Sequence, residues 1–285
     1  MISVSSITSY MYCPRKLFLT KILKVKEPEK KELVFGKISH KIFDFINKKE
    51  EFIVKNIKED MNLESIKNLY LEIYKEVLKD IIKKEEKKIK DFNINEEEIF
   101  ENILKTIEEE AKIRSENVFK FIKKHKIFGE KLWQELEPKI KTEVEIYSKS
   151  LDLKGIIDRV EIYKDKCIPY ELKTGNLLRD DIWPSHKIQL CAYALMLEKE
   201  YNLKIKEGFI IYLNNNKKVK ILFNPFLRED VLSLVEKVKD VLNSKEIPPI
   251  TKNKNKCKKC GLKEICYDEE KIKDLLNKNF IKRSF

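Results

Sequence analysis

Two carboxylates and a lysine occur on neighbouring segments whose apolar residues alternate as in β-strands. Asp158 lies in GIIDRVEIY, and Glu171 and Lys173 follow in CIPYELKTG. Because side chains alternate between the faces of a strand, Glu171 and Lys173 share a face and Asp158 on the adjacent strand can lie beside them. The two carboxylates can hold Mg²⁺ or Mn²⁺, with the backbone carbonyl of Leu172 as a further ligand. With Lys173 to orient a water or to stabilise charge on a phosphate, this group of residues predicts hydrolysis of a phosphodiester.

The alternative for such a motif is a salt bridge between Glu171 and Lys173 on a solvated face of the sheet. The residues around the motif argue against it, because they are apolar and indicate a central strand. Charges on a central strand are costly unless they are paired or bound to metal. The apolar neighbours are Ile156, Ile157, Val160 and Ile168. This context favours the metal site.

Three polar residues on predicted helices are candidates for the same site. Gln189 and Tyr193 are four residues apart, so they share one face of a helix, where they can point to the sheet or to a DNA phosphate. The alternative is that Tyr193 belongs to the core and Gln189 to the surface. His40 lies on an apolar helix and is either structural or a nitrogen ligand or substrate contact. Gly36, one turn earlier, would permit close packing of that face against the sheet.

Three cysteines near the C-terminus have the spacing of a metal site. Cys257 and Cys260 form C-x-x-C, and Cys266 follows in the same segment. A tetrahedral or cluster site needs a fourth thiolate, and Cys13 is the best candidate. From the spacing alone, Zn²⁺, an iron–sulfur cluster and unliganded reduced thiols all stay open. The tail over residues 251–285 carries 11 basic and five acidic side chains, which indicates either a phosphate-binding surface or a disordered basic end.

The composition limits the compartment and the partners. The 285 residues carry a net charge of +12, which suits a polyanionic partner or a solvated mixed-charge surface. The chain lacks both the ~18 consecutive apolar residues that span a bilayer and the layout of a signal peptide. We therefore expect a cytoplasmic protein with no membrane partner and with reduced or metal-bound cysteines. Cys167 and Cys191 lie in apolar segments and are predicted to be buried in the core.

The hydrophobic periodicity predicts an α/β (α+β) chain. A helical block precedes three sequential strands, and two more strands lie between two later helices. The predicted helices cover residues 3–20, 33–48, several segments within about 50–135, 186–200 and 226–244, and the strands lie within 139–172 and 209–223 with a turn at Asn214 to Asn216.

The ordered set of motifs resembles the RecB-like branch of the PD-(D/E)xK nucleases. The matching pieces are G-x-x-x-H ending at His40, G-x-x-D ending at Asp158, E-x-K at Glu171 and Q-x-x-x-Y at Gln189. One cysteine before these motifs and three after them resemble the iron–sulfur members, in particular the stand-alone CRISPR-associated exonuclease family.

The resemblance implies roles for individual residues. Divalent metal, Mg²⁺ or Mn²⁺, would be bound by His40, Asp158, Glu171 and Leu172. Lys173 would serve the attacking water, and Gln189 and Tyr193 would support the site and its DNA. A 4Fe–4S cluster would be bound by Cys13, Cys257, Cys260 and Cys266.

The resemblance also implies a fold and an activity. The fold would be a restriction-endonuclease-like core with a mixed central sheet flanked by helices. The implied division is 1–48 N-terminal helices, 49–135 helical insertion, 136–225 nuclease core and 226–285 C-terminal helix with the cluster tail. The implied activity is 5′→3′ cleavage of single-stranded DNA during CRISPR spacer acquisition, together with the CRISPR integrase. The alternatives are a repair or replication nuclease and a non-catalytic iron–sulfur DNA-binding scaffold.

Overall fold

A computed structural model describes residues 1–175 and 182–281 of the chain, so residues 176–181 of the predicted core and 282–285 of the predicted tail lie outside the described residues. The strands are β1 (Ile2–Ser3), β2 (Lys139–Ser148), β3 (Leu153–Ile162), β4 (Cys167–Lys173), β5 (Glu207–Tyr212) and β6 (Lys217–Leu222). The helices are α1 (Val4–Tyr12), α2 (Pro14–Lys21), α3 (Lys31–Lys48), α4 (Glu50–Lys55), α5 (Leu63–Lys84), α6 (Glu86–Asp91), α7 (Glu96–His125), α8 (Gly129–Glu135), α9 (Pro184–Tyr201), α10 (Pro225–Asn243), α11 (Lys254–Lys258), α12 (Lys263–Tyr267) and α13 (Glu269–Ile281).

Several helices begin where a polar side chain caps the first turn. Ser3 accepts a hydrogen bond from the Ser6 backbone N–H at 3.1 Å and starts α1. Asn62, Asn95 and Asn224 cap α5, α7 and α10 in the same way. Each cap satisfies a backbone donor that has no partner inside its helix.

The predicted single helix over residues 3–20 is wrong. The chain forms α1 and α2, with Cys13 between them in an extended conformation, φ −166° and ψ 119°. Pro14 is the cause, because its ring disfavours the helical conformation of the residue before it while fitting the first turn of a new helix. The break turns the Cys13 position into a corner between the two helices.

The six strands form one mixed sheet in the order β1-β3-β4-β5-β6, and β2 pairs with β3. The β2–β3, β3–β4 and β5–β6 pairs are antiparallel, whereas β1–β3 and β4–β5 are parallel. Helices cover both faces of the sheet, so the predicted α/β (α+β) fold with a mixed central sheet is confirmed. The predicted hairpin turn is also confirmed, since a 3₁₀ turn over Leu213–Asn215 joins β5 to β6.

The sheet has a fork between β3 and β4. Strand β2 pairs along one edge of β3 from Ser148↔Leu153 to Lys139↔Ile162. On the other edge, β1 pairs at Leu153 and Lys154, and β4 pairs from Ile162 back to Arg159. Beyond Arg159↔Tyr170 the two strands separate, and residues 171–173 pair only with β5 in the described ladders. Asp158 and Glu171 are the first residues of β3 and β4 beyond the last pair, at the point where the two strands separate.

Separate cores hold the helices on the two sides of the sheet. One contains apolar residues of α3 to α8 together with Tyr170 and Leu172 of β4. The other contains residues of α1, α9 and α10 together with Ile157 and Val160 of β3. A small third core joins α2 to the C-terminal segment through Phe18 and Leu262, among others.

A buried ion-pair group connects the helical block to the sheet beside the fork. Arg159 Nη1 donates to Glu110 of α7 and Nη2 donates to Glu161 of β3, both at 2.7 Å. In the same core Arg114 of α7 pairs with Glu50 of α4, and both side chains are buried. Because buried charges need their partners, these pairs fix where α7 lies against β3.

Within the described ranges no helix is both long enough and apolar enough to cross a membrane. The division of the chain at residues 48, 135 and 225 stays a prediction.

Candidate active site

A cleft of about 750 Å³ opens where α3 crosses the fork in the sheet. Contacts on both sides of the cleft fix α3 in place. Thr142 of β2 donates a hydrogen bond to Asp44 of α3 at 2.6 Å. At the other side, a Cβ added to Gly36 would lie 3.2 Å from Thr174 Oγ1, so a larger residue would hold the helix away from the end of β4. The lining includes Gly36, His40, Lys41, Asp44, Phe45, Glu143, Ile156, Asp158, Leu172, Lys173, Thr174 and His186.

Asp158 lies at the fork and contacts both sides of it. The Leu172 backbone N–H, on the edge of β4 that has left β3, donates to Asp158 Oδ2 at 2.7 Å. His40 Nδ1 of α3 lies 3.0 Å from Asp158 Oδ1. The carboxylate is therefore oriented from two directions, with Oδ1 on the side of the helix.

Glu171 belongs to a closed group of three polar side chains. Its Oε1 accepts hydrogen bonds from Lys173 Nζ and from Gln189 Nε2, both at 2.7 Å. Lys173 Nζ also donates to Gln189 Oε1 at 2.8 Å. Lys173 and Glu171 thus lie on one face of β4, and Gln189 of α9 points back to the sheet.

The second oxygen of Glu171 indicates where a cation fits. Glu171 is 2 % exposed, and its buried Oε2 has no hydrogen-bond partner among the described residues. An unpaired buried carboxylate oxygen is costly unless an ion, a proton or a water satisfies it. Carboxylate oxygens and an imidazole nitrogen are ligands that Mg²⁺ and especially Mn²⁺ accept. The partnerless Oε2 of Glu171 is therefore one donor that suits a divalent cation, and His40 and Asp158 offer others.

The pKa shifts of Glu171 and His40 agree with a site whose negative charge is not fully balanced by positive charge. Burial and the charge of Asp158 raise the pKa of Glu171 to about 7, although Lys173 opposes the shift. Burial by itself would lower the pKa of His40, but the hydrogen bond and the charge of Asp158 outweigh it and raise that pKa. A divalent cation at this place would stabilise both carboxylates in their ionised form.

Tyr193 packs below the site and does not line the cleft. It is 4 % exposed, and burial raises the pKa of its hydroxyl. A Cβ added to Gly155 would lie 2.6 Å from Tyr193 Cε1. The glycine that precedes Asp158 in G-x-x-D therefore makes room for the tyrosine ring, which supports β3 from the α9 side.

Glu143 is a candidate that the motif reasoning did not select. The β2–β3 register pairs Thr142 with Arg159 and Val144 with Ile157, so Glu143 lies opposite Asp158. Ligand atoms of His40, Glu143 and Asp158 all lie within 4.8 Å of one another. Its position depends on strand pairing and not on motif spacing. Counting back from the turn at residues 149–152 would have found it.

His186 also lines the cleft, near Lys173. Burial and the charge of Lys173 lower its pKa to about 4. Its Nδ1 lies 2.9 Å from the Tyr212 hydroxyl. The ring is therefore neutral at physiological pH and adds no charge to the site.

The six cysteines divide into the two groups that the sequence predicted. Cys167 is 4 % exposed and Cys191 is fully buried in the core around α9, which confirms their prediction. One small pocket between the α1–α2 corner and the C-terminal segment is lined by Cys13, Cys257, Cys260 and Cys266.

Hydrogen bonds between the two ends of the chain close this pocket. The Tyr12 hydroxyl donates to the Lys256 carbonyl at 2.6 Å, and Lys256 Nζ donates to the Met11 carbonyl at 3.0 Å. Arg15 donates to the Cys266 carbonyl at 3.1 Å. Gly261 follows Cys260 against Glu27, and its N–H donates to Glu27 Oε1 at 3.1 Å. The four thiols therefore lie where the N-terminal helices meet the C-terminal segment.

Comparison with known proteins gives a family match and several relatives. The sequence model of the PD-(D/E)XK nuclease superfamily matches residues 1–267. A CRISPR-associated exonuclease Cas4/endonuclease Cas1 fusion of Leptospira interrogans is 33 % identical over 151 residues, which are 50 % of this chain and 28 % of that protein.

Two further relatives have different names. The CRISPR-associated exonuclease Cas4 of Rhodospirillum rubrum is 25 % identical over 125 residues, 43 % of this chain and 37 % of that protein. The DNA replication ATP-dependent helicase/nuclease JHS1 of Arabidopsis thaliana is 28 % identical over 130 residues, 40 % of this chain and 10 % of that protein. The matches therefore span less than two fifths of the length of each of these three relatives.

Proposed function

This chain belongs to the PD-(D/E)XK nuclease superfamily, and on that basis we propose that it is a metal-dependent DNA exonuclease with its active centre at Asp158, Glu171 and Lys173. The observation that carries the proposal is the state of the buried Glu171 carboxylate. One oxygen is held by Lys173 and Gln189, and the other has no partner among the described residues. Asp158 lines the open cleft, one residue beyond the last β3–β4 pair, Arg159↔Tyr170.

The residues of the site have complementary tasks in this proposal. His40, Asp158, Glu171 and the Leu172 carbonyl hold Mg²⁺ or Mn²⁺. When bound, such a cation lowers the pKa of water and stabilises charge on a phosphate. Lys173, held by Glu171 and Gln189, places its ammonium group to orient the attacking water and to contact a phosphate oxygen.

The rim of the cleft supports a preference for single-stranded DNA. Leu33, Phe45 and Ile156 are 51 %, 37 % and 47 % exposed, and all three line the cleft. Lys37 and Lys41 line it as well. Unpaired bases stack on exposed apolar and aromatic side chains while lysines follow the phosphates. In a duplex the bases are already stacked on one another and do not offer these faces.

The names of the relatives support a role in CRISPR defence. We infer that the chain digests DNA ends 5′→3′ and prepares them for spacer acquisition by the CRISPR integrase in the cytoplasm. The Leptospira relative is named as a fusion of Cas4 and Cas1. None of the six cysteines forms a disulfide, which is in keeping with a reducing compartment. The replication relative supports a second candidate, a nuclease of replication or repair.

For the four thiols we propose a 4Fe–4S cluster that fastens the N-terminal helices to the C-terminal segment. Four cysteines from two distant parts of the chain line one pocket. Four thiolates are a ligand set that both a zinc ion and a 4Fe–4S cluster take. We prefer the cluster because one cysteine before the nuclease motifs and three after them resemble the iron–sulfur members of the family.

A digest of end-labelled DNA with Mn²⁺ tests the proposed activity. Single- and double-stranded substrates carry the label at either end, and wild type is compared with Lys173→Ala and with the control Lys166→Ala in the loop before β4. We expect wild type and the control to release short 5′ products from single strands, and Lys173→Ala to release none. Equal cleavage by Lys173→Ala and wild type would refute the assigned site. DNA binding without cleavage by wild type would favour the non-catalytic scaffold.

A further inference from the structure

Asp158 belongs to β3 but is absent from both described ladders of that strand. Its next neighbour, Arg159, pairs with Thr142 of β2 on one edge and with Tyr170 of β4 on the other. Consecutive Cα atoms are ~3.8 Å apart and are joined by a planar peptide, so a displacement of Arg159 is passed on to the residue before it. The position of the Asp158 carboxylate at the fork therefore depends on how firmly Arg159 is held.

The Arg159 side chain is held by the helical block as well as by the sheet. Its Nη1 donates to Glu110 of α7 and its Nη2 donates to Glu161 of β3, both at 2.7 Å. Its guanidinium carbon lies 4.9 Å from the centre of the Tyr170 ring, and all four side chains are buried. Of these three partners only Glu110 lies outside the sheet. Glu110 therefore sets the distance between α7 and the last pair before the fork.

Helix α7 is a firm support for this contact. Ala111, next to Glu110, lies in the same apolar core as Leu213 of the turn after β5. Thr106 Oγ1, one turn before Glu110, donates to the Leu213 carbonyl at 3.5 Å. Removing one partner of a buried ion pair is strongly destabilising, because the other charge is left unpaired. The packing and the ion pair together hold Arg159 against α7.

A second buried ion pair provides a matched reference away from the fork. Arg114 Nε of α7 donates to Glu50 Oε1 of α4 at 3.0 Å, and both side chains are buried. Neither residue lies on a strand. Glu50 and Glu110 thus make the same kind of contact with an arginine, but the arginine of Glu110 is the neighbour of Asp158.

We propose that Glu110 and Arg159 are positioning residues of the active centre, and that the helical block sets the position of the Asp158 carboxylate through this ion pair. The proposal rests on the proposed function, which makes Asp158 a ligand of the divalent cation. A misplacement of about 1 Å caused by a change far from the reacting atoms can cost ~100-fold in rate. The length of the Glu110 side chain therefore matters for activity more than its charge.

Two variants of Glu110 separate length from charge. Glu110→Asp keeps the charge and shortens the side chain, so it displaces or releases Arg159. Glu110→Gln keeps the length and an oxygen that can accept from Arg159, but it removes the charge. Calorimetry measures Mn²⁺ affinity, and single-turnover cleavage of single-stranded DNA at saturating Mn²⁺ measures the rate. We expect Glu110→Asp to weaken Mn²⁺ binding about 10–100-fold and to slow cleavage as well, whereas Glu110→Gln stays close to wild type.

The reference pair supplies the controls. Glu50→Asp shortens a buried carboxylate of the same kind, so it is expected to lower the melting temperature like Glu110→Asp while keeping the wild-type Mn²⁺ affinity and rate. Circular dichroism checks that each variant is folded. If Glu110→Asp does not fold, Arg159→Lys and Arg114→Lys give the same comparison, because lysine keeps the charge and loses the forked geometry of arginine. Arg159→Lys is then expected to lose Mn²⁺ affinity and Arg114→Lys to keep it.

The outcomes separate this inference from the proposed function. A folded Glu110→Asp with the Mn²⁺ affinity and rate of Glu50→Asp overturns the inference and leaves the proposed function intact. An equal loss in Glu110→Gln and Glu110→Asp also overturns it, because charge and not length would then be decisive. A wild type that binds Mn²⁺ without cleaving DNA overturns the proposed exonuclease, and the Mn²⁺ affinities of the variants still decide this inference. A wild type that binds no Mn²⁺ overturns both.

Discussion

Gln189 Nε2 donates a hydrogen bond to Glu171 Oε1 at 2.7 Å, while the oxygen of the same amide accepts one from Lys173 Nζ at 2.8 Å. One side chain of α9 therefore orients both the buried carboxylate and the lysine of β4. An amide is suited to this position because it is a donor and an acceptor without charge. Gln189 acts through Glu171 and Lys173, so it is a positioning residue in the proposed mechanism.

Gln189→Leu is expected to slow cleavage while leaving metal binding in place. Leucine has a similar size but offers no hydrogen bond, so Lys173 and Glu171 lose a shared partner. Loss of such an orienting contact typically costs about 10–100-fold in activity. Single-turnover cleavage at saturating Mn²⁺ measures the effect, and Gln134→Leu on the exposed face of α8 is the control. A Gln189→Leu rate equal to that of the control would contradict this role.

Mn²⁺ affinity is expected to rise with pH until about pH 7. Burial raises the pKa of Glu171 to about 7 in the metal-free protein, so protons compete with the cation below that value. Between pH 6 and pH 8 the affinity should increase about tenfold. Calorimetric titrations at both values check this, and Glu171→Gln should remove most of the dependence. An affinity for wild type that does not change over this range would refute the raised pKa.

In the absence of metal, folding stability changes with pH in the opposite direction to Mn²⁺ affinity, because it falls as pH rises. Because the pKa of Glu171 is higher in the folded chain than its ordinary value of 4.5, the folded state holds this proton more tightly than the unfolded state does. The stabilisation is present below pH 4.5 and is lost as pH rises through about 7. Saturating Mn²⁺ is expected to reverse the loss, since it binds the ionised carboxylate.

Phe45→Ala is expected to weaken single-strand binding, whereas Phe52→Ala should not. Phe45 lines the cleft, and Phe52 is more exposed but lies on α4 outside the cleft lining. Stacking of one base on an aromatic ring is worth ~1–3 kcal/mol, so the KM for a single-stranded oligonucleotide should rise about 5-fold or more. An abasic nucleotide series locates the contact. Equal KM values for both variants would show that Phe45 does not contact bases.

Cys257→Ala is expected to lose the colour of the protein, and Cys167→Ala is expected to keep it. Cys257 lines the four-thiol pocket, whereas Cys167 is buried in the core of the sheet. An iron–sulfur cluster absorbs broadly near ~400 nm. Anaerobic purification followed by absorbance and iron analysis gives the answer. Colourless wild type with stoichiometric zinc would overturn the cluster and favour the zinc alternative.

The shared face of Glu171 and Lys173 was predictable because a spacing of two fixes side-chain direction on a strand. Their contact needs only the local backbone, and the structure shows it. The cysteines on the core strand and helix were predictable from their apolar neighbours for a similar reason. The break at Cys13 was also predictable, since Pro14 disfavours a helical residue before it, but the apolar periodicity concealed it.

The parts that motif spacing alone did not predict depend on how distant segments meet. Glu143 reaches Asp158 through the register of two strands, and no motif records that register. Leu172 donates to Asp158 because β3 and β4 separate, a divergence that follows from how β4 also pairs with β5. The short strand β1 consists of two residues, too few for an alternation pattern to be visible.

The most direct test of the proposed metal site at Asp158 compares Mn²⁺-dependent cleavage by two variants, Asp158→Asn and Asp165→Asn. Asp165 is an exposed aspartate between β3 and β4. Asparagine keeps an oxygen for the Leu172 N–H, so the variant should fold, but it removes the charge that a divalent cation needs. We predict that Asp158→Asn loses at least about 100-fold in rate and that Asp165→Asn cleaves like wild type. Full Mn²⁺-dependent cleavage by pure, folded Asp158→Asn would contradict the assignment of this centre.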